Sequence, residues 1–540
     1  MTREIETPVL IAGGGPVGMT LALNLARYGV PSLLVERNPT TTRHPKMDLT
    51  NGRSMELFKR LGINDRLRAA GIPPENPFDV VWLTSLAGHE LHRFKYPSAQ
   101  EATRALHEKN DGSQASEAGL RVSQIVIEPV LKQATDENPL IDVRFSTAFE
   151  RIVAQDAQGI TAEISDAASG EITQVRCKFL AGCDGGGSRV RRQLGIELDG
   201  ELAAAQAYMV HFRSKAPELF RPWGITWHYQ SASGTTIAQD DKEIYTLQAW
   251  IIPGLGVDKM TPGEVLERWA GTKFDYEVLQ SNQWAGNFVV ARRYRSGRVL
   301  LAGDAAHQFF PTGGYGMNSG IADAAALSWV LAAQVQGWGG PALLDAYDRE
   351  RRPTAWWHLE ASRRHVGVRI EIDKVFREAG DLDGGGADAE ARRREAGEKI
   401  ARLGNAENES WGVELGYRYD ASPVIFAEPN PPPVDPLTYR PSTWPGARLP
   451  HVFLEDGVSV HDKLGLYFTL LALDDVSSGA LEEMARELNI PLAVVRLHRP
   501  DLRKIYERNL LLVRPDQHVA WRGDALPKDL RALLTRVTGH

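Results

Sequence analysis

Cysteine is nearly absent: Cys177 and Cys183 are the two in 540 residues, and they are not spaced as a C-x-x-C pair. That excludes a disulfide framework and a dithiol redox centre, and a reducing compartment is expected. Both thiols lie in an apolar stretch before a glycine-rich turn and read as buried structural residues. Long apolar runs are missing too. The best one, residues 321–335, is interrupted by Asp323 and falls short of the ~18 residues that span a bilayer. The chain passes from Met1-Thr-Arg-Glu-Ile-Glu6 straight into a strand pattern, without the apolar core of a signal peptide. Basic excess is also lacking. The formal net charge is −7 and the pI about 6.1, so nucleic acid is not an expected partner. His358 and His365 lie on one helical segment without an acidic residue at ligand spacing, so no metal is expected. These absences predict a cytoplasmic protein that engages neither membrane nor nucleic acid.

What is present is α/β patterning. Val9-Leu-Ile-Ala12 is a short apolar run, Gly13-Gly-Gly-Pro-Val-Gly18 a tight turn, and residues 19–28 carry helical spacing. Pro31-Ser-Leu-Leu-Val-Glu36 is a second buried strand. This βαβ opening predicts a parallel sheet. Between about 205 and 295 the pattern alternates instead, as in an antiparallel sheet. Read as a strand, Ile225-Thr-Trp-His-Tyr229 puts Ile225, Trp227 and Tyr229 on one face, and Tyr245-Thr-Leu-Gln-Ala-Trp-Ile-Ile252 looks similar. From about 298 the α/β style returns, with a strand at Arg298-Val-Leu-Leu-Ala302, a helix over 321–336 and a polar helical stretch to about 405, in which Gly384-Gly-Gly386 reads as a loop. Pro429-Asn-Pro-Pro-Pro-Val-Asp-Pro436 reads as a stiff, extended linker. Beyond it, residues 441–540 look like a separate small α/β domain.

Gly13, Gly15 and Gly18 form G-x-G-x-x-G between a strand and a helix, with Pro16 and Val17 inside the motif. One glycine permits the turn, one admits a pyrophosphate to the backbone, and one lets helix and strand pack closely. The helix N-terminus offers free N–H groups to phosphate. Glu36, followed by Arg37, ends the second strand 18 residues past Gly18, where a carboxylate would hold ribose hydroxyls. This fingerprint predicts a dinucleotide without choosing between NAD and FAD.

Two further motifs make that choice. Val299-Leu-Leu-Ala-Gly-Asp-Ala-Ala-His307 is followed by Pro311-Thr-Gly-Gly-Tyr-Gly-Met-Asn318, and Cys183-Asp-Gly-Gly-Gly-Ser-Arg-Val-Arg191 lies between the two. Together they resemble the Gly-Asp and Asp-Gly motifs of the class A, single-component FAD-dependent aromatic hydroxylases. The resemblance extends to Pro45-Lys46, Asn51-Gly-Arg53-Ser-Met-Glu-Leu, Gln124 and Tyr347-Asp-Arg-Glu-Arg-Arg-Pro353. Gly446-Ala-Arg-Leu-Pro450 and Arg514-Pro-Asp-Gln-His-Val-Ala-Trp-Arg522 resemble the C-terminal domain of the phenol-hydroxylase-like branch.

The resemblance implies an α/β fold: a Rossmann-like FAD-binding domain with an inserted, mostly antiparallel substrate sheet, and a C-terminal thioredoxin-like α/β domain without redox cysteines. The expected division is 1–75, 105–200 and 290–400 for the FAD-binding domain, 76–104 and 201–289 for the substrate sheet, 401–440 for a linker and 441–540 for the last domain. It also implies non-covalent FAD, NAD(P)H as co-substrate, O2, and a homodimer. Cofactor contacts are expected at Gly13, Gly15, Pro16, Val17, Gly18, Glu36, Arg37, Lys46, Gln124, Asp184, Gly303, Asp304, Pro311, Gly314, Gly316, Met317 and Asn318. Asp304 would bind the ribityl chain, and Lys46 replaces the arginine usual at its place.

In such enzymes a flavin C4a-hydroperoxide hydroxylates an electron-rich ring, and the protein must keep it dry and help a phenol lose its proton. Asp48, five residues before Arg53, stands where the phenol-hydroxylase branch carries an active-site aspartate. It is the expected catalytic residue, and a helix-start cap is its structural alternative. Trp227, Tyr229, Trp250, Phe310 and Pro311 are the expected substrate contacts, with Tyr245 beside them and His211 and His228 as further bases. A flavin-dependent halogenase is one rival, since Gln248-Ala-Trp-Ile-Ile-Pro253 partly matches W-x-W-x-I-P; residues 73–100, however, offer Lys95 alone as a catalytic lysine. A non-catalytic flavoprotein that binds an aromatic ligand is another.

Overall fold

The computed structural model describes residues 3–252, 254–455 and 457–540; Pro253 of the halogenase-like run lies outside them. The first sheet centres on Arg3–Ala12, flanked in parallel by Ser32–Val35 and Ile172–Gly182. Ile141–Arg144 and Val299–Leu301 extend it on either side, again in parallel. An apolar βαβ opening thus becomes a buried parallel sheet. Pro16–Arg27 and Tyr315–Gln336 pack against each other over it. The second of these helices is buried on all sides through Ala333, which suits its nearly uniform apolar sequence. Asp323, the one charge in that run, is held by Arg351 Nε at 2.7 Å, His307 Nε2 at 2.9 Å and the Gly303 amide at 3.0 Å. Among the described residues, no helix is long and apolar enough to cross a membrane.

The second sheet has eight strands, in the order His307–Gln308, Tyr276–Ala291, Leu198–Ser214, Ile244–Trp250, Gly234–Ala238, His228–Ser231, Val80–Leu83 and Glu90–Phe94. Every pairing is antiparallel except that of His228–Ser231 with Val80–Leu83. Its outer face is an apolar core in which Phe220 stacks on Tyr245 at 4.1 Å and Trp269 is fully buried. Its inner face looks toward the 37-residue helix Ala342–Glu378. The alternation expected from residue 225 starts later. Ile225 is exposed and the strand begins at His228, so Trp227 and Tyr229 are free to point to different places.

The third sheet orders Leu492–Arg496, Phe468–Ala472, Leu510–Val513 and Val519–Gly523, with one parallel and two antiparallel pairings. This is the thioredoxin-like unit, but it does not stand apart. Trp329 meets Phe468 at 6.0 Å, and one continuous apolar core includes both sheets. Residues 401–440 are likewise no free linker. Val413, Tyr417, Tyr419, Val424 and Ile425 are buried, and Tyr419 accepts from Arg351 at 3.2 Å. Large aromatic and branched side chains there bury against the core, while the proline-rich end stays near the surface.

Candidate active site

Backbone geometry builds the dinucleotide cleft. Gly13 has φ +111°, and a Cβ there would lie 2.2 Å from the Cys183 carbonyl oxygen. A Cβ at Gly18 would lie 2.0 Å from the Gly13 carbonyl oxygen, so strand and helix meet only because both residues are glycine. Gly15 differs: no protein atom lies within 4 Å of its missing Cβ, so that side is open to a ligand. Gly15 also caps Pro16–Arg27, which has no side-chain cap and no acidic residue in its first turn. Val17 packs under Gly303 and Gly320, locking the fingerprint to the Gly303-Asp304 turn.

A cleft of about 500 Å³ lies over the turn at Gly13 and Gly15. Gly13, Gly15, Glu36, Arg37, Lys46 and Asp184 line it, with Arg43, Arg189 and Arg192 beside them. Cations around a bare helix N-terminus suit a diphosphate. Glu36 accepts from the Gly14 amide at 2.8 Å and from Asn38, which fixes its carboxylate at the strand end. Asp184 spends its carboxylate on the amides of Arg189 at 2.7 Å and Val190 at 3.1 Å, so it caps a helix while lining the cleft. Gln124 donates to Glu128 at 2.7 Å, and Glu128 holds the Thr42 amide. Asp304 is exposed, and among the described residues its carboxylate meets no donor. It is therefore available to sugar hydroxyls.

A second bare helix N-terminus completes the cofactor site. Gly313 and Gly314, with φ +84° and +65°, turn the chain into Tyr315–Gln336, whose first turn holds Gly316 and Met317 and no acid. Pro311 is exposed and Phe310 buried at the start of this loop. Asn318 ties it down, donating to the carbonyls of Gly314 at 2.7 Å and Leu49 at 3.0 Å and accepting from the Asn51 amide at 3.1 Å. These residues fit FAD, whose phosphates the first helix terminus would hold and whose ring the second would adjoin.

The same clamp places Asp48 next to the loop. Its carboxylate accepts from the Trp227 indole N–H, and it does not cap a helix; Asn51 does that. Burial pushes the Asp48 pKa up, against the pull of the Trp227 N–H and the nearby Arg121. Arg121 is itself held by Asp241 at 2.6 Å and lies 5.8 Å from the Trp227 ring.

The other expected contacts divide. Trp250 stacks on Phe310 at 5.3 Å and lines a second cleft, of about 810 Å³, between the sheet's inner face and Ala342–Glu378. Tyr229 is on the opposite face, in contact with Phe220 at 5.4 Å, as is Tyr245. Neither reaches either cleft, because residues alternate once the strand begins at His228. His211 is bound to Thr246 Oγ1 at 3.0 Å and is held neutral by burial. Sequence reading missed Trp82 and Arg369, which also line the large cleft. Trp82 lies in a short strand whose place beside His228–Ser231 no local pattern announces.

Comparison with known proteins agrees with this geometry. Residues 6–362 match the family described as FAD binding domain, and residues 442–540 that described as aromatic-ring hydroxylase, C-terminal. The chain is 38% identical to the FAD-dependent monooxygenase apdD of Emericella nidulans, over 96% of this chain and 88% of that one. It is 31% identical to the 4-methyl-5-nitrocatechol 5-monooxygenase of a Burkholderia species, over 98% and 97%. The solved structure of the rebeccamycin biosynthetic enzyme RebC with reduced flavin is 34% identical, covers 99% of each chain and superimposes with a TM-score of 0.90. The halogenase alternative is not favoured. This chain belongs to the class A flavin hydroxylases and is an FAD-dependent aromatic-ring monooxygenase with the family's C-terminal domain.

Proposed function

We propose that the enzyme uses NAD(P)H and O2 to hydroxylate a phenolic ring held against the inner face of the second sheet, and that Asp48 receives the phenol's proton. FAD, when bound, supplies the redox chemistry that activates oxygen. The observation that carries the reading is the position of Asp48: a half-buried carboxylate, fixed by Trp227, one residue from backbone that Asn318 clamps to the Gly314 loop.

A phenol has a pKa near 10, so ionising it at pH 7 costs about 4 kcal/mol. A carboxylate in bulk water is too weak a base to offset much of that. Burial raises the Asp48 pKa and makes it stronger, while Arg121 and the Trp227 N–H keep the ionised form accessible. The large cleft sets the scale of the substrate. At about 810 Å³ it suits a ligand of several rings rather than one. Leu202, Ile252, Leu255 and Ile370 form an exposed apolar rim within or next to its lining, in keeping with an apolar body.

The test is Asp48→Asn. The variant should retain FAD yet lose about a hundredfold or more in kcat/KM for a phenolic substrate. In the parent, activity should fall as pH drops through a value above the ordinary carboxylate range, because Asp48 must be ionised to accept the proton. That limb should vanish in Asp48→Asn. Unchanged turnover in the variant would remove Asp48 from the chemistry.

A further inference from the structure

Two side chains on the inner face of the second sheet have hydrogen-bonding atoms that meet nothing. His228 and Gln230 are buried, and among the described residues no group reaches either ring nitrogen of His228 or either amide atom of Gln230. An unpaired buried polar group is costly, and native proteins keep few of them. Here two complete sets stand on one strand, two residues apart.

Their direction follows from strand pairing. Gln230 is in register with Trp82 on one side and Thr235 on the other. Trp82 lines the large cleft, and Thr235 accepts from Arg369, which lines it too. Gln230 therefore shares their face. His228 is on that face as well, with its ring 4.0 Å from the Trp227 indole that holds Asp48. The Trp82 indole nitrogen is also without a partner. Tyr229, between the two, lies in the apolar core behind the sheet. A strip of unpaired polar atoms thus runs from beside Asp48 to the wall of the cleft.

The strip is neutral. Burial and the positive charges of Arg369 and Arg121 hold His228 uncharged, so it presents one donor and one acceptor. The Gln230 amide offers both as well, and Arg369 is neutralised by Glu407 at 2.6 Å. Such a surface matches a neutral group with acceptor and donor on neighbouring positions, and not a carboxylate.

We propose that His228 and Gln230 are specificity-determining residues that hold a carbonyl on the substrate ring together with the hydroxyl or N–H beside it. The substrate class is then an acyl- or amide-bearing phenol rather than a bare one. This rests on the reading that a phenolic ring lies against this face.

Calorimetric titration of the FAD-loaded enzyme with 1-hydroxy-2-acetonaphthone and 2-ethyl-1-naphthol tests it, since these two-ring probes match in size and differ in the carbonyl. The parent should bind the ketone about tenfold or more tightly. Gln230→Leu and His228→Phe should each bring the ratio near one and raise Tm, because each removes an unpaired buried group. Asp48→Asn should keep the ratio. A parent ratio near one, or a ratio unchanged in both variants, overturns the proposal and leaves the phenolic reading standing. Lowered Tm in both variants with the ratio intact assigns the pair to the fold alone. If neither probe binds the parent, both readings fall.

Discussion

In the dinucleotide cleft the backbone sets the chemistry, whereas on the inner face of the second sheet side chains set it. Gly13 and Gly18 are where they are because a Cβ would strike a carbonyl oxygen, and the bare terminus of Pro16–Arg27 follows from a motif six residues long. On the sheet, whether a residue touches a ligand depends on strand start, register and neighbours from distant segments. His228 faces the cleft side and Tyr229 the core, though they are adjacent. A site made of backbone demands particular residues at a fixed spacing, while a site made of alternating side chains accepts many sequences and so carries many substrates.

The largest effect should come from breaking the backbone side. Gly18→Ala places a Cβ 2.0 Å from the Gly13 carbonyl oxygen, which cannot move without opening the strand–helix contact. Purified Gly18→Ala should show almost no visible flavin absorbance per protein. Gly15→Ala sharpens the point, since no protein atom stands within 4 Å of its Cβ. Its ligand-free thermal stability should match the parent's, while FAD binding weakens by about tenfold or more. If Gly15→Ala instead lowers stability and keeps FAD, the open side is not where the phosphates lie.

The seam between the first and third sheets is an intermediate case, made of side chains but recurring in motifs. Glu350 pairs with Arg514 at 2.6 and 2.8 Å, and Arg514 lies between the rings of Trp329 and Tyr419. Glu56 is held by Arg448 and by Arg53, whose guanidinium also reaches the Asp516 carbonyl at 2.9 Å. Removing one member leaves the other buried and unpaired, so Arg514→Leu should cost about 3–5 kcal/mol, read from denaturant unfolding. The acid response should follow. Burial alone would raise the carboxyl pKa of Glu56 and Asp516, but Arg448 and Arg514, with neighbouring charges, hold both below their usual values. Their stabilisation is complete above the unfolded carboxylate range near 4 and is lost as pH falls through the depressed values. Unfolding at pH 3 should therefore be easier than at pH 7, and Glu56→Gln should flatten that difference.

This seam also shows what sequence could and could not tell. Glu56, Glu350, Arg448 and Arg514 all stand in short motifs visible along the chain, yet their use is mutual: Glu56 with Arg448, and Glu350 with Arg514. Spacing reveals a motif but not its partner 164 or 392 residues away. The βαβ opening, the Gly303-Asp304 turn and the third sheet were legible because apolar periodicity and glycine geometry act locally. Residues 401–440 looked like a linker because prolines near 429–436 dominate the pattern, but buried Tyr417 and Tyr419 decide its packing. Trp82 and Arg369 were invisible because only the folded register brings them to one cleft.

The smallest effect should separate two aromatics that looked alike in sequence. Trp250 stacks on Phe310 and lines the cleft, so Trp250→Ala should weaken an aromatic ligand by about tenfold through lost ring contact. Tyr229 sits behind the sheet, and its hydroxyl makes a long contact, 3.4 Å, to the Gly224 carbonyl, beside the Thr226 side chain. A hydrogen bond at that length contributes little, below about 1 kcal/mol. Tyr229→Phe should therefore leave ligand affinity within about twofold and Tm nearly unchanged, since the ring that fills the core remains. Affinity lost in Tyr229→Phe with Tm preserved would mean the hydroxyl reaches the ligand, and strand alternation from His228 would then be the wrong guide to this face.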